Sequence, residues 1–318
     1  MLRRPYRGRF APTPSGALHL GGARTALVAW LDARASNGEL VLRVEDLDHP
    51  RMVPGAEQRI LDDLRWLGLT WDEGPDLGGS YAPYRQSEKL ARFGEIVAEL
   101  LAAGKAYPCY CSRKEIAQVS VAPHGPADDG PRYPGTCRNL TWEQLSHRAR
   151  TRRPAIRLRV EPGEVDWSDR LRGDRSDDVS ATVGDFVLRR SDGIPAYQIA
   201  VVVDDAEMRI SDVIRADDLV SSTARQILIY RALEFNTPRF GHVPLVLGSD
   251  GKRLSKRHGA IGIGAFRAAG VPPERVIGHL AATLSLCSPG TLITPDALVK
   301  TFSLAKLPTA PTLFSALE

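Results

Sequence analysis

Two short runs, far apart in the chain, carry residue types suited to holding phosphate. The first is Arg9-Phe10-Ala11-Pro12-Thr13-Pro14-Ser15-Gly16, followed by His19-Leu20-Gly21-Gly22. Pro12, Pro14 and Gly16 resist helix and shape a loop. His19 to Gly22 lies just before a helical pattern, whose N-terminal amides and dipole attract anions. Gly21 and Gly22 let an adenine ring or a phosphate approach the backbone, and His19 can donate a hydrogen bond to a phosphate oxygen. The second run is Lys252-Arg253-Leu254-Ser255-Lys256-Arg257, with glycines at 248, 251 and 259. Such a loop can close over a triphosphate and supply charge as the α-phosphate is attacked. Taken singly, each run is more often a tight turn or a solvated basic loop. Together they read as the two halves of one ATP site.

These runs need elements to position them. The segment 6–11 reads as a short strand. Apolar residues at 26, 27, 30, 31 and 35 give 23–35 one helical face, and 39–46 alternates as a half-buried strand. Strand, glycine-rich turn, helix and strand make a βαβ unit, whose right-handed crossover sets the strands parallel and the turn over their carboxyl ends. Helices are predicted over 56–67 and 87–103. The texture then changes: 107–140 is rich in Pro, Gly and Asp, and strand-like pieces appear at 155–160 and 185–189. Roughly 105–190 therefore reads as an inserted domain. Strands are predicted at 197–203, 209–214 and 243–247, a helix at 222–234, a turn at 249–251, and a mainly helical region from 263 to 304 with pieces near 273–286 and 295–304.

With 318 residues, 43% of them hydrophobic and 25% charged, the chain has room for two or three globular domains and no disordered or fibrous composition. A net charge of +4 permits a nucleic-acid or phosphorylated partner without requiring one. No apolar run approaches the ~20 residues that span a bilayer. The basic start, Met1 to Arg7, is followed by no apolar segment of a secretory signal, so no membrane partner and a cytoplasmic location are expected. Of the four cysteines, Cys109, Cys111 and Cys137 cluster in sequence, which favours a metal over disulfides. A structural zinc site takes four ligands. Histidine is the generic fourth choice, here His124; three free thiols are the alternative. Cys287 reads as a core thiol.

The runs resemble the signatures of the class I aminoacyl-tRNA synthetases of the glutamyl type. His19-Leu20-Gly21-Gly22 is similar to the family's His-Ile-Gly-His, with Gly22 at the last position. Arg253-Leu254-Ser255-Lys256-Arg257 is similar to Lys-Met-Ser-Lys-Ser, with arginine at both ends. The resemblance covers about 1–260. It implies an α/β class I synthetase fold: a Rossmann-type doubly wound parallel sheet in two halves (1–104 and 191–257), an inserted, zinc-containing acceptor-binding domain (105–190) and a helical C-terminal region (258–318). It implies that His19, Gly21, Gly22, Arg253 and Lys256 bind ATP with Mg²⁺, with His19 and Lys256 catalytic. A glutamate pocket needs at least two cations and one anion. Arg9 and Glu45 suit it, and the runs around Tyr197 and Arg215 look like the family's amino-acid-binding segments. The resemblance assigns Arg9, Phe10, Ala11, Pro12, Thr13, Glu45, Tyr197 and Arg215 to L-glutamate. Asp217 stands where related sequences carry glycine.

A subgroup of short paralogues shows Cys-x-Cys followed by Tyr-x-x-x-Cys, which Cys109, Cys111, Tyr133 and Cys137 reproduce. The resemblance thus points to Tyr133 as the fourth zinc ligand, although the loop 119–132 is longer here and His124 stays open. The chain ends soon after the basic loop, and the helical anticodon-binding domain of the longer members is expected to be missing. In the short subgroup, glutamate goes to the queuosine base of tRNA(Asp) and not to a 3′ end. ATP, L-glutamate and queuosine-bearing tRNA(Asp) are the implied partners of an expected monomer. A truncated enzyme charging tRNA(Glu), a non-catalytic glutamate- or tRNA-binding paralogue and another nucleotidyltransferase are the alternatives.

Overall fold

The structure is a computed structural model, and it describes residues 5–119, 131–248, 251 and 262–313. In chain order the elements begin with β1 (Arg7–Phe10), α1 (Leu20–Ala35), β2 (Glu39–Leu42), α2 (Ala56–Trp66) and α3 (Leu90–Ala102). The middle holds β3 (Ala106–Cys109), α4 (Arg113–Val119), α5 (Trp142–Ala149), β4 (Ala155–Leu158), β5 (Val165–Asp169), β6 (Gly173–Asp177), α6 (Val179–Thr182) and β7 (Val187–Arg189). Then come α7 (Tyr197–Glu207), β8 (Asp212–Ala216), α8 (Val220–Ala232), β9 (Arg239–Val243), β10 (Val246–Leu247), α9 (Ile263–Ala268), α10 (Pro273–Ala282), α11 (Pro295–Val299) and β11 (Thr312–Leu313). No helix among the described residues is long and apolar enough to cross a membrane.

The main sheet has six strands in the order β2-β1-β8-β9-β5-β6. Every neighbouring pair is parallel except the β5–β6 hairpin. Because the chain leaves β1 through α1 to reach β2 on one side, while β8 flanks β1 on the other, the strand order switches direction between β1 and β8. In such sheets ligands bind outside the carboxyl ends of the strands at that switch. One apolar core lies under α1, α2, α9, α10 and α11. A second core contains side chains of α3, α7 and α8 and reaches into the antiparallel sheet β3-β4-β7.

Helix α1 shows how the sequence sets this frame. Its residues are buried almost continuously from Leu20 to Ala33, and the alanine-rich sequence suits a helix wedged between the sheet and α10. Buried Arg24 ties α1 to distant segments, donating to the carbonyl of Pro244, both oxygens of Thr283 and the hydroxyl of Thr312. The turn into β2 closes on Gly38, where a Cβ would lie 2.5 Å from the Tyr6 carbonyl oxygen.

The structure departs from the sequence pattern in four places. The predicted strand at 197–203 is the helix α7. Its run Ile199 to Asp205 is buried on all sides, and an apolar, β-branched run buried throughout has no periodicity that separates strand from helix. Residues 165–177 fall inside the predicted insertion yet form β5 and β6, which extend the main sheet beside β9, so that sheet is mixed and not wholly parallel. The predicted strand at 243–247 is divided into β9 and β10 around Pro244, which has no N–H for a ladder. The segment 209–214 enters its strand later, at Asp212, after Arg209 turns at a positive φ of 56°.

Two glycine-to-alanine changes should act with opposite signs. Gly278 in α10 packs on the backbone so closely that a Cβ would overlap the Thr291 carbonyl. Gly278→Ala should therefore destabilise by about 1–3 kcal/mol. Gly94 in α3 has nothing within 4 Å of a Cβ, so Gly94→Ala should stabilise by about 0.5–1 kcal/mol through helix propensity. Thermal melts of the two variants beside the wild type check both signs.

Candidate active site and metal centre

The predicted site residues converge on the carboxyl ends of β1, β2 and β8. Arg9 is on β1, Arg215 is on β8, Glu45 follows β2, and Tyr197 opens α7. Phe10 ends β1, and Ala11, Pro12 and Thr13 continue from it. The Glu45 N–H donates to the Pro12 carbonyl at 3.1 Å, so the parallel pairing persists past the strands and sets the glutamate carboxyl beside this loop.

Around these residues lies a layer of buried charge. Arg9 Nε lies 3.4 Å from Asp205 Oδ1, and Arg43 Nη1 donates to the same oxygen at 2.6 Å. Arg43 Nη2 donates to Glu45 Oε1 at 3.1 Å. Burial pushes the Glu45 carboxyl above its ordinary value, with Arg43 and Arg9 opposing. Burial raises Asp205 too, but Arg43 and Arg9 outweigh it and hold that carboxyl below its ordinary value. Burial raises the Tyr197 hydroxyl; Glu45 adds to the shift, while Arg215 and Arg9 oppose it.

Arg215 differs from its neighbours. It is only 3% exposed, yet no carboxylate lies within ion-pair distance of it among the described residues. It donates through Nε to His242 Nε2 at 2.9 Å and through Nη1 to Gln226 at 2.7 Å. Nη2 reaches the Thr223 hydroxyl at 2.8 Å and the Leu219 carbonyl at 3.2 Å. His242 is neutral at ordinary pH, because burial pushes it down to about 4. Arg9 and Arg43 pair with Asp205, and Arg43 pairs also with Glu45 and, at 3.6 Å, with Asp204. Arg215 is the guanidinium of this layer with no carboxylate within ion-pair distance among the described residues, and a ligand carboxylate would supply the missing pair.

The glycine turn of the first run lies alongside. His19 is the N-cap of α1, and its Nδ1 accepts the Gly22 N–H at 3.0 Å, which places the proton of the neutral ring on Nε2. The predicted helix start at 23 moves back to Leu20, so His19, Gly21 and Gly22 belong to the first turn and its cap. Arg253 and Lys256, with the rest of 252–257, lie outside the described residues. Their flank does not: His19 bridges Gly262, and the Ile263 N–H donates to the Leu18 carbonyl at 2.8 Å. The chain leaving the basic run therefore returns to the first patch. Asp217 removes nothing from the pocket; it pairs with Arg172 at 2.6 Å.

The second cluster is in the small antiparallel sheet. Cys109 ends β3, and the sulfurs of Cys109, Cys111 and Cys137 all lie within 4.8 Å of one another. Cys111 and Cys137 are 3.5 Å apart. The Tyr133 hydroxyl oxygen stands 3.3 Å from Cys109 Sγ and 4.0 Å from Cys111 Sγ, and accepts the Cys137 N–H at 2.8 Å. Ligand–ligand edges of a tetrahedral site with one oxygen and three sulfurs run about 3.5–3.8 Å, so these four atoms fit a closed metal centre. The Arg157 guanidinium stacks 3.8 Å over the Tyr133 ring, and Arg148 Nη1 reaches Cys137 Sγ at 3.9 Å, which offsets thiolate charge. His124 lies outside the described residues. Cys287 packs against the first core as predicted, donating to the Gly278 carbonyl.

Sequence reasoning missed Arg43, Asp169, Asp205 and His242. Arg43 and Asp205 were visible as charges inside runs already singled out, but only the helical form of 197–207 turns Asp205 toward Arg9. Nothing local marks Asp169 or His242, since strand pairing brings them together.

Comparisons with known proteins agree with this geometry. Residues 6–312 match the family described as tRNA synthetases class I (E and Q), catalytic domain. The chain is 50% identical over 305 residues to a glutamyl-Q tRNA(Asp) synthetase of Symbiobacterium thermophilum, covering 96% of this chain and 94% of that protein. It is 45% identical to a glutamate–tRNA ligase of Heliobacterium modesticaldum, of which it spans 62%. Among solved structures, a glutamate tRNA ligase from Elizabethkingia meningosepticum in complex with its amino acid superposes with a TM-score of 0.84 at 32% identity, over 98% of this chain and 68% of that one. With its carboxyl-end charge layer and its capped glycine turn, the chain belongs to the class I tRNA synthetases for glutamate and glutamine, in the glutamyl-Q tRNA(Asp) synthetase family.

Proposed function

We propose that this chain activates L-glutamate with ATP and transfers it to the queuosine base of tRNA(Asp). The observation that carries the amino-acid assignment is the buried Arg215, held only by neutral partners among the described residues. Similarity over nearly the whole length of a glutamyl-Q tRNA(Asp) synthetase supports the acceptor. Arg9 and Arg215 orient the two carboxylates by charge-assisted hydrogen bonds, and Glu45 meets the ammonium. Phe10 to Thr13 form the wall beside them. The α-carboxylate oxygen attacks the α-phosphorus of ATP, the bond between the α- and β-phosphates breaks, and pyrophosphate leaves. His19, Gly21 and Gly22 hold the phosphates at the start of α1, while Arg253 and Lys256 oppose the charge that builds on them. Mg²⁺ bound with ATP would screen the polyphosphate. A queuosine hydroxyl then attacks the acyl carbon, AMP leaves, and the hydroxyl proton passes to solvent.

In this reading the segment around β3, β4 and β7 is the acceptor-binding insertion, and Cys109, Cys111, Tyr133 and Cys137 hold one structural zinc. The ion's distance from the charge layer in the sequence and its closed donor set suit it to holding loops together and not to chemistry.

Three outcomes are expected. Glutamate should support ATP–pyrophosphate exchange without tRNA, and glutamine should not; absence of exchange removes the reading. Lys256→Ala should fold normally and lose about 10²–10³-fold in exchange rate. Labelled glutamate should attach to tRNA(Asp) carrying queuosine and not to tRNA(Asp) lacking it, whereas attachment to the 3′ end of tRNA(Glu) would favour the charging enzyme instead. For the metal, elemental analysis should give about one zinc per chain. Cys137→Ser should lower both zinc content and melting temperature, and a wild-type protein that folds without zinc would refute the assignment.

A further inference from the structure

The charge-bearing pocket does not end at Arg215. Arg215 on β8 and His242 on β9 are register partners across the parallel pair, so their side chains leave the sheet side by side. His242 Nε2 accepts the Arg215 Nε–H at 2.9 Å, and its Nδ1 faces Asp169 Oδ2 at the end of β5, the next strand over. With Nε2 accepting, the ring proton is on Nδ1 and is donated to Asp169. Asp169 is itself fixed, since its Oδ1 accepts the backbone N–H groups of Leu171 at 2.8 Å and Arg172 at 3.0 Å. The imidazole has little room to turn: Phe240 stacks on it and Trp167 meets it edge-on, with ring centres 6.4 and 5.9 Å away. All three polar residues of the chain are buried.

The order of the groups matters more than their number. A carboxylate in van der Waals reach of Arg215 would orient it and also neutralise it. Here the carboxylate stands one residue back, behind an imidazole that carries no charge. The guanidinium is aimed by hydrogen bonds to neutral acceptors, and its charge has no counter-charge within ion-pair distance among the described residues. A buried cation in that state gains a large interaction from a ligand carboxylate and little from a carboxamide, because a neutral ligand leaves it unpaired away from water.

We propose that Asp169 and His242 are positioning residues that set the selectivity of the pocket for a side-chain carboxylate over a carboxamide, by holding Arg215 rigid while keeping its charge uncompensated. The inference rests on the glutamate-activating reading and names what enforces its substrate choice. It assigns the side-chain carboxylate of glutamate to Arg215.

The test compares two substitutions of nearly equal shape, His242→Gln and His242→Glu, by ATP–pyrophosphate exchange with glutamate and with glutamine. Glutamine at 242 can still accept from Arg215 and donate to Asp169; glutamate at 242 puts a carboxylate directly on Arg215. The expected result is that His242→Gln keeps kcat/KM for glutamate within about 10-fold of wild type. His242→Glu should lose about 100-fold or more on glutamate, while the residual exchange with high glutamine concentrations, near background in the wild type, changes much less, so that discrimination narrows at least about 10-fold. Equal losses in the two variants, or equal effects on glutamate and glutamine, would overturn the proposal. Asp169→Asn provides a second variant should His242→Glu fail to fold. It should raise KM for glutamate about 10-fold while kcat and KM for ATP stay near wild type, and a change in kcat alone would also overturn it. Wild-type protein that exchanges with no amino acid would remove the underlying reading, a result distinct from either variant outcome.

Discussion

A guanidinium kept from water, with no carboxylate within ion-pair distance of it among the described residues, is the constraint on which this molecule is organised. The effective penalty for burying such an ion is several kcal/mol even after relaxation. That cost makes sense only if the surrounding fold is stiff enough to prevent Arg215 from swinging out and selective enough to admit an anion. Both conditions trace to strand order. Placing β8 between β1 and β9 sets Arg215 between Arg9 on one side and His242 on the other. Helix α7 then crosses the same region and contributes Asp205, whose carboxylate is shared by Arg9 and Arg43. On either side of Asp205, Asp204 pairs with Lys89 and Glu207 pairs with Lys89 and Arg92, so the helix is pinned through its acidic residues to the start of α3. The charge layer is thus a continuous network, and among the described residues Arg215 is its guanidinium without a carboxylate partner.

The local parts of this arrangement were legible from sequence. The turn His19 to Gly22, the amphipathic α2 and α3, and the alternating β2 follow from residue type and spacing. So does the adjacency of Arg9 and Glu45, because a βαβ unit dictates parallel neighbours. What was not legible depends on burial from several sides at once. The run 199–203 reads as strand because its valines and isoleucine favour the extended state in isolation, and only enclosure by the sheet, α3 and α8 makes the helix preferable. The β5–β6 hairpin was hidden differently. Its exposed face is polar, with Asp166, Ser168 and Asp174, so it looks like part of a loop-rich insertion until Asp169 pairs with Phe240.

That hairpin also explains why one stretch of sequence serves two bodies. The strands β3, β4 and β7 build the small sheet that carries the thiol cluster, while β5 and β6, lying between β4 and β7 in the chain, belong to the main sheet. Each of these connections crosses between the sheets. Asp169, at the end of β5, is consequently a residue of the catalytic frame despite being surrounded in sequence by the segment that holds the cysteines.

The backbone bridge between His19 and Gly262 has a further meaning for Lys256. Whatever path the basic run takes, Lys256 is joined to an anchored glycine by a short contour, and six residues reach no farther than about 20 Å when fully extended. On the other side, β10 is held by its parallel pairing with β11. In the proposed reading, the reach of the lysine from the first turn of α1 is bounded by that chain length. Loop-closure entropy grows only as the logarithm of loop length, so adding a few residues between 256 and 262 would alter the stability of the fold little, while lengthening that reach.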